Sequence, residues 1–320
     1  MPPEPLSSAS LTGGLTGLDF AVIACYLIAT MSMGLWIARG QHSTEDFFVG
    51  GRQLPAWAVG ISILASLLST ITYLGMPGEM FRTGVGFLTR QLGVPLVLVV
   101  VWFLWIPFFM RLNLTSAYEY LERRFNYPVR VLGAILCLAL LLGWMAVVVL
   151  TASRAMAEIT YLDLNWFFGT NTDEHRDADL HAIILAIGLF SVIYTTLGGI
   201  RAVIWTDVIQ FFILIGGALF TIGYVAFDTG TGLGTWMEAQ SVYPHRESVE
   251  WFSLDIGNRS TVFFISVGMF FWFCCTHGAN QVALQRYFTV ESVRAARKSY
   301  LVSALSSFAL SIILAGVGLS

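Results

Sequence analysis

Charge is scarce in this chain. Only 12% of its 320 residues are Asp, Glu, Lys or Arg, while 56% are hydrophobic and the mean hydropathy is +0.73. A water-soluble domain normally carries about twice that charge, so a soluble fold is excluded. The net charge of −3 does not point to nucleic acid as a partner. Cysteine is also sparse: Cys25, Cys137, Cys274 and Cys275 all lie within apolar runs, where a thiol acts as a small hydrophobe, and their spacing excludes a disulfide framework or zinc site. No His/Glu metal motif, nucleophile elbow or pair of carboxylates is present, which argues against an intramembrane enzyme. The first 17 residues lack the basic start of a cleavable signal, so the first apolar run is expected to remain as a helix.

Long apolar runs dominate. Stretches of about 20 residues suffice to cross the hydrocarbon layer as helices. They are expected near 18–38, 54–81, 86–110, 129–158, 180–199, 202–227, 260–288 and 299–320, about eight spans in one transmembrane domain covering 1–320. The alternating pattern of a membrane barrel is missing, so the class is all-α. Basic residues mark the cytoplasmic connections: Arg39 and Arg52; Arg111, Arg123, Arg124 and Arg130; Arg201; then Arg286, Arg294, Arg297 and Lys298. Acidic residues fill the intervening loops, with Asp163, Asp173, Glu174, Asp177 and Asp179 in one and Asp228, Glu238, Glu247, Glu250 and Asp255 in the other. A multi-pass protein of the cell membrane with both ends of this chain extracytoplasmic is the expected orientation. Residues 116–125 read as a short amphipathic helix at the inner surface.

Two spans carry polar interruptions. In the second, Ser66, Ser69, Thr70 and Thr72 cluster at mid-depth, with Tyr73, Gly75, Pro77 and Gly78 following. An unwound helix in lipid must find partners for its freed carbonyls, and a desolvated cation satisfies several at once; oxygen ligands of this kind suit Na⁺. The alternative is ordinary close packing of small residues. The seventh span is interrupted by Thr276, His277, Gly278, Asn280 and Gln281, and corresponding breaks in two halves are the signature of an inverted-repeat transporter. His277 lines such a site or is a packing histidine. Asp207 and Gln210 share one helix face at the start of the sixth span. A carboxylate near membrane depth needs a cation, a partner or water, unless it only complements a helix N-terminus. Arg90 and the Arg154/Glu158 pair read as snorkelling and local pairing, and Asn258-Arg259-Ser260 as a chance glycosylation match.

Four segments in order, DFFVGGRQLP from Asp46, TSAYEYLERRF from Thr115, YTTLGGIRAVIWTDVIQ from Tyr194 and GANQVALQRY from Gly278, resemble the sodium:solute symporter family. The resemblance implies a LeuT-type inverted-repeat core with one extra N-terminal helix, a small-molecule solute as substrate and Na⁺ as coupling ion. It further implies that Ala65 and Leu68 offer carbonyls to sodium and that Ser66, Ser69 and Thr72, with Tyr73, face a central cavity. Asp207 and Gln210 match positions associated with ion binding or passage, and Asn280 and Gln281, beside His277, fall where solute contacts are expected. Leu67 and Leu68 differ from the Asn-Ile of sugar carriers, and the segment from Ser69 to Gly78 is more like the organic-anion branch. A carboxylate is therefore the expected solute, with a sugar or polyol as the alternative. The resemblance implies ten core helices, of which Ser320 follows the seventh, so a C-terminal part is expected to be missing. A sensor or scaffold that retains the fold without transporting is the rival reading.

Overall fold

The computed structural model describes residues 16–39, 43–112, 114, 116–160, 174–242, 250–252 and 261–320, and among these every regular element is helical. Several expectations fall outside it: most of the acidic residues of the two outer loops, the side chains of Arg90 and Glu158, and the Asn258-Arg259-Ser260 site.

The first helix, α1 (Gly17–Ala38), starts where Thr16 and Asp19 cap each other reciprocally, Asp19 Oδ2 accepting the Thr16 amide at 2.8 Å. After α2 (Thr44–Val49) the backbone passes through Gly50, Gly51 and Arg52, all at positive φ. That left-handed turn, which glycine enters without a Cβ penalty, bends Thr44–Arg52 by 112° against α3 (Ala56–Leu67). Next come α4 (Thr70–Thr83), a 3₁₀ stretch (Gly84–Gly93), α5 (Val94–Val100), a π turn (Val101–Trp105) and α6 (Ile106–Met110). The expected surface helix forms as α7 (Ala117–Arg124), capped by Ser116, and α8 (Tyr127–Thr160) follows. A single long run, α9 (Glu174–Thr229), covers the two spans read at 180–199 and 202–227, but Gly199 (φ 58°) kinks it close to the boundary expected from sequence. The described chain ends with α10 (Leu233–Val242), α11 (Val262–Ala279), α12 (Gln281–Tyr287) and α13 (Val293–Leu319).

Six of the described helices are long and apolar enough to cross a bilayer, and the bent pair before and including α3 is a seventh candidate. The stretch 54–81 does not join that count as one helix because it is broken in the middle, and Leu180–Ile193 is short.

The packed centre lies where α3 meets α9, α12 and α13. Residues Ala58 to Leu64 are all buried, and Gly60 lets α13 approach so closely that an added Cβ would stand 2.4 Å from the Ser299 carbonyl. Close approach through small residues is how membrane helices gain dispersion contact when lipid removes the hydrophobic drive. In contrast α8 exposes Leu132, Leu136, Leu138 and Leu142, the apolar outer face that lipid covers.

Candidate functional site

The first break lies at Leu68 and Ser69, both extended (φ −83°, ψ 113° and φ −99°, ψ 163°). Its cause is a cap. In a continuous helix the Thr72 amide would bond to the Leu68 carbonyl, whereas here it donates to Ser69 Oγ at 3.2 Å and starts α4 afresh. The Leu68 carbonyl is thereby released, and Ala65 sits in the last turn of α3, whose carbonyls also lose their helical donors. Gly75 and Pro77, which follow the hydroxyl cluster, lie inside α4 without interrupting it. Among the described residues no three His, Cys, Asp or Glu side chains converge, so the oxygen donors at this break are carbonyls and hydroxyls, the ligands a hard cation takes.

The second break is Asn280 (φ −80°, ψ 121°), which ends α11 and starts α12. Its side chain accepts the Val282 amide at 2.8 Å, the same capping logic as Ser69.

Between the breaks lies a buried polar network. Asp207 Oδ2 accepts from Ser62 Oγ at 2.5 Å, from Ser66 Oγ at 3.0 Å and from Arg286 Nη2 at 3.2 Å. Arg286 also donates through Nε to Ser62 Oγ and through Nη1 to the Val282 carbonyl, both at 2.8 Å, and through Nη2 to Ser66 Oγ. Arg286 and Asp207 are only 5% and 7% exposed. This corrects the sequence reading twice. Arg286 does not mark a cytoplasmic loop; it neutralises Asp207. Nor does Asp207 begin a helix: it lies inside α9, beyond the Gly199 kink, because a cation from α12 makes a carboxylate tolerable there.

Both breaks and this ion pair border one cavity of about 790 Å³. Ser66, Leu68, Ser69 and Thr72 line it from α3, α4 and the break, and His277 and Asn280 from the second break. Four candidates lie elsewhere. Ala65 is not on the wall, so only its carbonyl remains a candidate. Tyr73 is turned to α9, where its hydroxyl donates to the Leu214 carbonyl at 3.0 Å. Gln210, on the helix face beside Asp207, is not among the described lining residues. The side chain of Gln281 points to the start of α7, accepting the Ala117 amide at 2.9 Å and so supplying a cap that α7 needs. His277 is 4% exposed, and its Nδ1 pairs with the Tyr287 hydroxyl at 2.9 Å.

Sequence reasoning missed part of the wall. Ser303, Ser307 and Ser311 recur every fourth residue along α13 and line the cavity, a helical stripe that spacing alone could have disclosed. Gln91 Nε2 donates to Ser311 Oγ at 2.7 Å. Among the described lining residues the charged side chains are Asp207 and Arg286, which cancel each other.

The profile of the sodium:solute symporter family matches residues 47–319. The chain is 33% identical over 291 residues to the sodium/sialic acid symporter NanT of Aliivibrio fischeri, covering 90% of this chain and 54% of that protein. To the human sodium/iodide cotransporter it is 33% identical over 293 residues (91% and 43%), and to the Xenopus laevis sodium-coupled monocarboxylate transporter 1 it is 32% identical over 301 residues (93% and 46%). The chain thus spans about half the length of the curated relatives it matches. A solved structure of a Na⁺-coupled sialic acid symporter, described as substrate-bound, outward-open and revealing a novel Na⁺ site, superposes with a TM-score of 0.81 at 27% identity, covering 95% of this chain and 61% of that one.

Proposed function

Because this chain belongs to the sodium:solute symporter family, a family of membrane transporters rather than enzymes, we propose that it forms the ion- and solute-binding part of a sodium-coupled symporter for a small organic anion such as a carboxylate. The observation that carries this reading is the meeting of two capped helix breaks on one cavity. Carbonyls released at Ala65 and Leu68 are the sodium ligands, with Ser69 and Thr72 hydroxyls beside them. Asp207 lies on the ion's way toward the cytoplasm, held by Arg286 in the present arrangement. Ser66, Ser69, Thr72, His277 and Asn280 contact the solute, and Gln91 joins them as an amide donor.

The solutes for which these relatives are named support an anion: sialic acid and monocarboxylates are carboxylates, and iodide is a monoanion. The cavity supports a particular way of holding one. Since its described charges pair with each other, the solute's charge is met by neutral N–H and O–H donors and by the coupled cation. Sodium favours the outward-facing state, in which solute affinity is higher, so that ion and solute share one coupling free energy. Both ends of the chain face outward in this arrangement.

Uptake of a labelled monocarboxylate and of sialic acid into proteoliposomes, with an inward sodium gradient or with potassium replacing sodium, tests the reading. Accumulation is expected only with the sodium gradient, and flux of equal size in potassium sinks the coupling.

A further inference from the structure

His277 sits in the last turn of α11, just before the second break, and three rings from three directions hold it. Tyr300 of α13 meets it edge-on at 4.9 Å between centroids, Phe273 lies one turn earlier in α11 at 6.4 Å and nearly parallel, and Tyr287 of α12 stands at 6.2 Å. Across the break, His277 Nδ1 and the Tyr287 hydroxyl are 2.9 Å apart, and this is the hydrogen bond described for either side chain.

Burial decides the direction of that bond. Tyr287 is 0% exposed, so its O–H must be satisfied inside the protein, and among the described residues the acceptor within reach is His277 Nδ1. With Nδ1 as the donor, the phenolic hydrogen would be buried with no acceptor, which is costly. Tyr287 therefore donates. A neutral imidazole carries one proton, and with Nδ1 accepting, that proton is on Nε2. The described carboxylate of the cavity, Asp207, is already taken by Arg286, Ser62 and Ser66, which leaves no described side-chain anion there to draw a second proton onto the ring. Among the described residues, the buried side-chain atoms sealed off without a partner are Trp105 Nε1 and Ser153 Oγ, and His277 Nε2 is neither. It is unpaired but open, and the space that His277 lines is the cavity.

We propose that Tyr287 is a positioning residue and His277 a specificity-determining one: the buried hydroxyl fixes the imidazole as its Nε2–H tautomer, and that N–H reads an acceptor on the solute, which for an organic anion is a carboxylate oxygen. A locked imidazole does not reverse its role. An acceptor at this point gains a hydrogen bond, whereas a solute that turned its own O–H or N–H here would meet a donor and be left without a partner. The solute's identity as a carboxylate rests on the transport reading; the tautomer does not.

Nitrogen-15 NMR of the histidine-labelled chain in lipid bilayers, taken as wild type minus His277→Gln, reads the tautomer without any flux. A protonated Nε2 beside a bare Nδ1 is expected, and Tyr287→Phe is expected to show both tautomers. A wild-type ring protonated on Nδ1, or an Nε2–H form that persists alone in Tyr287→Phe, overturns the proposal. Sodium-driven uptake of labelled propionate and of sialic acid into proteoliposomes reads the contact. His277→Leu, which has no donor, is expected to raise half-saturation for the accumulated solute about tenfold or more, as for loss of a hydrogen bond to a charged group, and His277→Gln, which keeps an N–H, loses less. Tyr287→Phe raises it about twofold, the cost of selecting one of two tautomers. Half-saturation is read on folded protein, so a variant that folds in lower yield still reports. A wild-type half-saturation in His277→Leu overturns the proposal, as does an Nε2 resonance that stays in place when the accumulated solute is added in sodium. Wild-type protein that accumulates neither solute overturns the transport reading instead, and the NMR comparison still decides what Tyr287 does to His277.

Discussion

The two helix breaks use the same chemistry for different ends. At each, a side-chain oxygen intercepts an amide that would otherwise continue the helix: Ser69 takes Thr72, and Asn280 takes Val282. Around the first break the neighbours Leu67 to Tyr73 are half-buried, and hydroxyls stand ready at the cavity. The second is enclosed by ties to other elements: Gln281 to α7, Gln285 to the Phe48 carbonyl at 2.8 Å, His277 to Tyr287 and Arg286 to Asp207. A released carbonyl needs a partner wherever water is scarce. On the proposed reading, the first break, whose partner is left to be supplied from outside, is the ion site, and the second, which has ties of its own, carries its solute-facing residues on a joint.

The largest effect is expected from cutting the tie between the two breaks. Arg286→Gln leaves Asp207 buried without its cation and should cost about 3–5 kcal/mol of stability, read as a fall in melting temperature. The double variant with Asp207→Asn should lose clearly less than the sum of the two single losses, and simple additivity would mean that the pair is not coupled. A smaller effect separates the glycines. Gly278→Ala drives a methyl into Trp105 and should cost about 1–3 kcal/mol, whereas Gly75→Ala, in the exposed interior of α4 with nothing within 4 Å of the added carbon, should be neutral or stabilising by up to about 1 kcal/mol. Thermal unfolding of the two variants side by side decides it. The smallest difference is the most direct comparison of the breaks. Ser69→Ala and Asn280→Ala each remove one cap and should each cost about 1 kcal/mol of stability. Only Ser69→Ala should raise the half-saturating sodium concentration of uptake, and an equal rise in both would erase the distinction between site and joint.

Much of the site was readable before any coordinates. The hydroxyl cluster from Ser66 to Thr72 and the polar run from Thr276 to Gln281 mark both breaks, because lipid-facing helix has no use for such residues at depth. The residues alone did not say which of them ends the helix: Gly75 and Pro77 follow the hydroxyl cluster closely, yet a capping Ser69 ended the helix and the proline was absorbed into α4. Side-chain direction was the other loss. Tyr73 and Gln281 lie next to cavity residues in sequence but face α9 and α7, since a break resets the phase of the helix that follows it. Arg286 was least legible of all. Its basic character placed it with the loop arginines, and nothing local distinguishes it from Arg294 or Arg297.

Apolar runs long enough to span a bilayer, the caps that divide them and the motifs shared with a transporter family are properties of neighbouring residues, so the sequence by itself determined the helical membrane class, the presence of two breaks and the family. Pairings between distant elements depend on how helices cross and rotate. Asp207 and Arg286 stand 79 positions apart, Gln91 and Ser311 stand 220 apart, and only the tertiary structure decided that these groups meet. The physical reason is the same in both cases: a polar group buried in lipid or protein must be satisfied, and which partner satisfies it is a matter of packing rather than of local order.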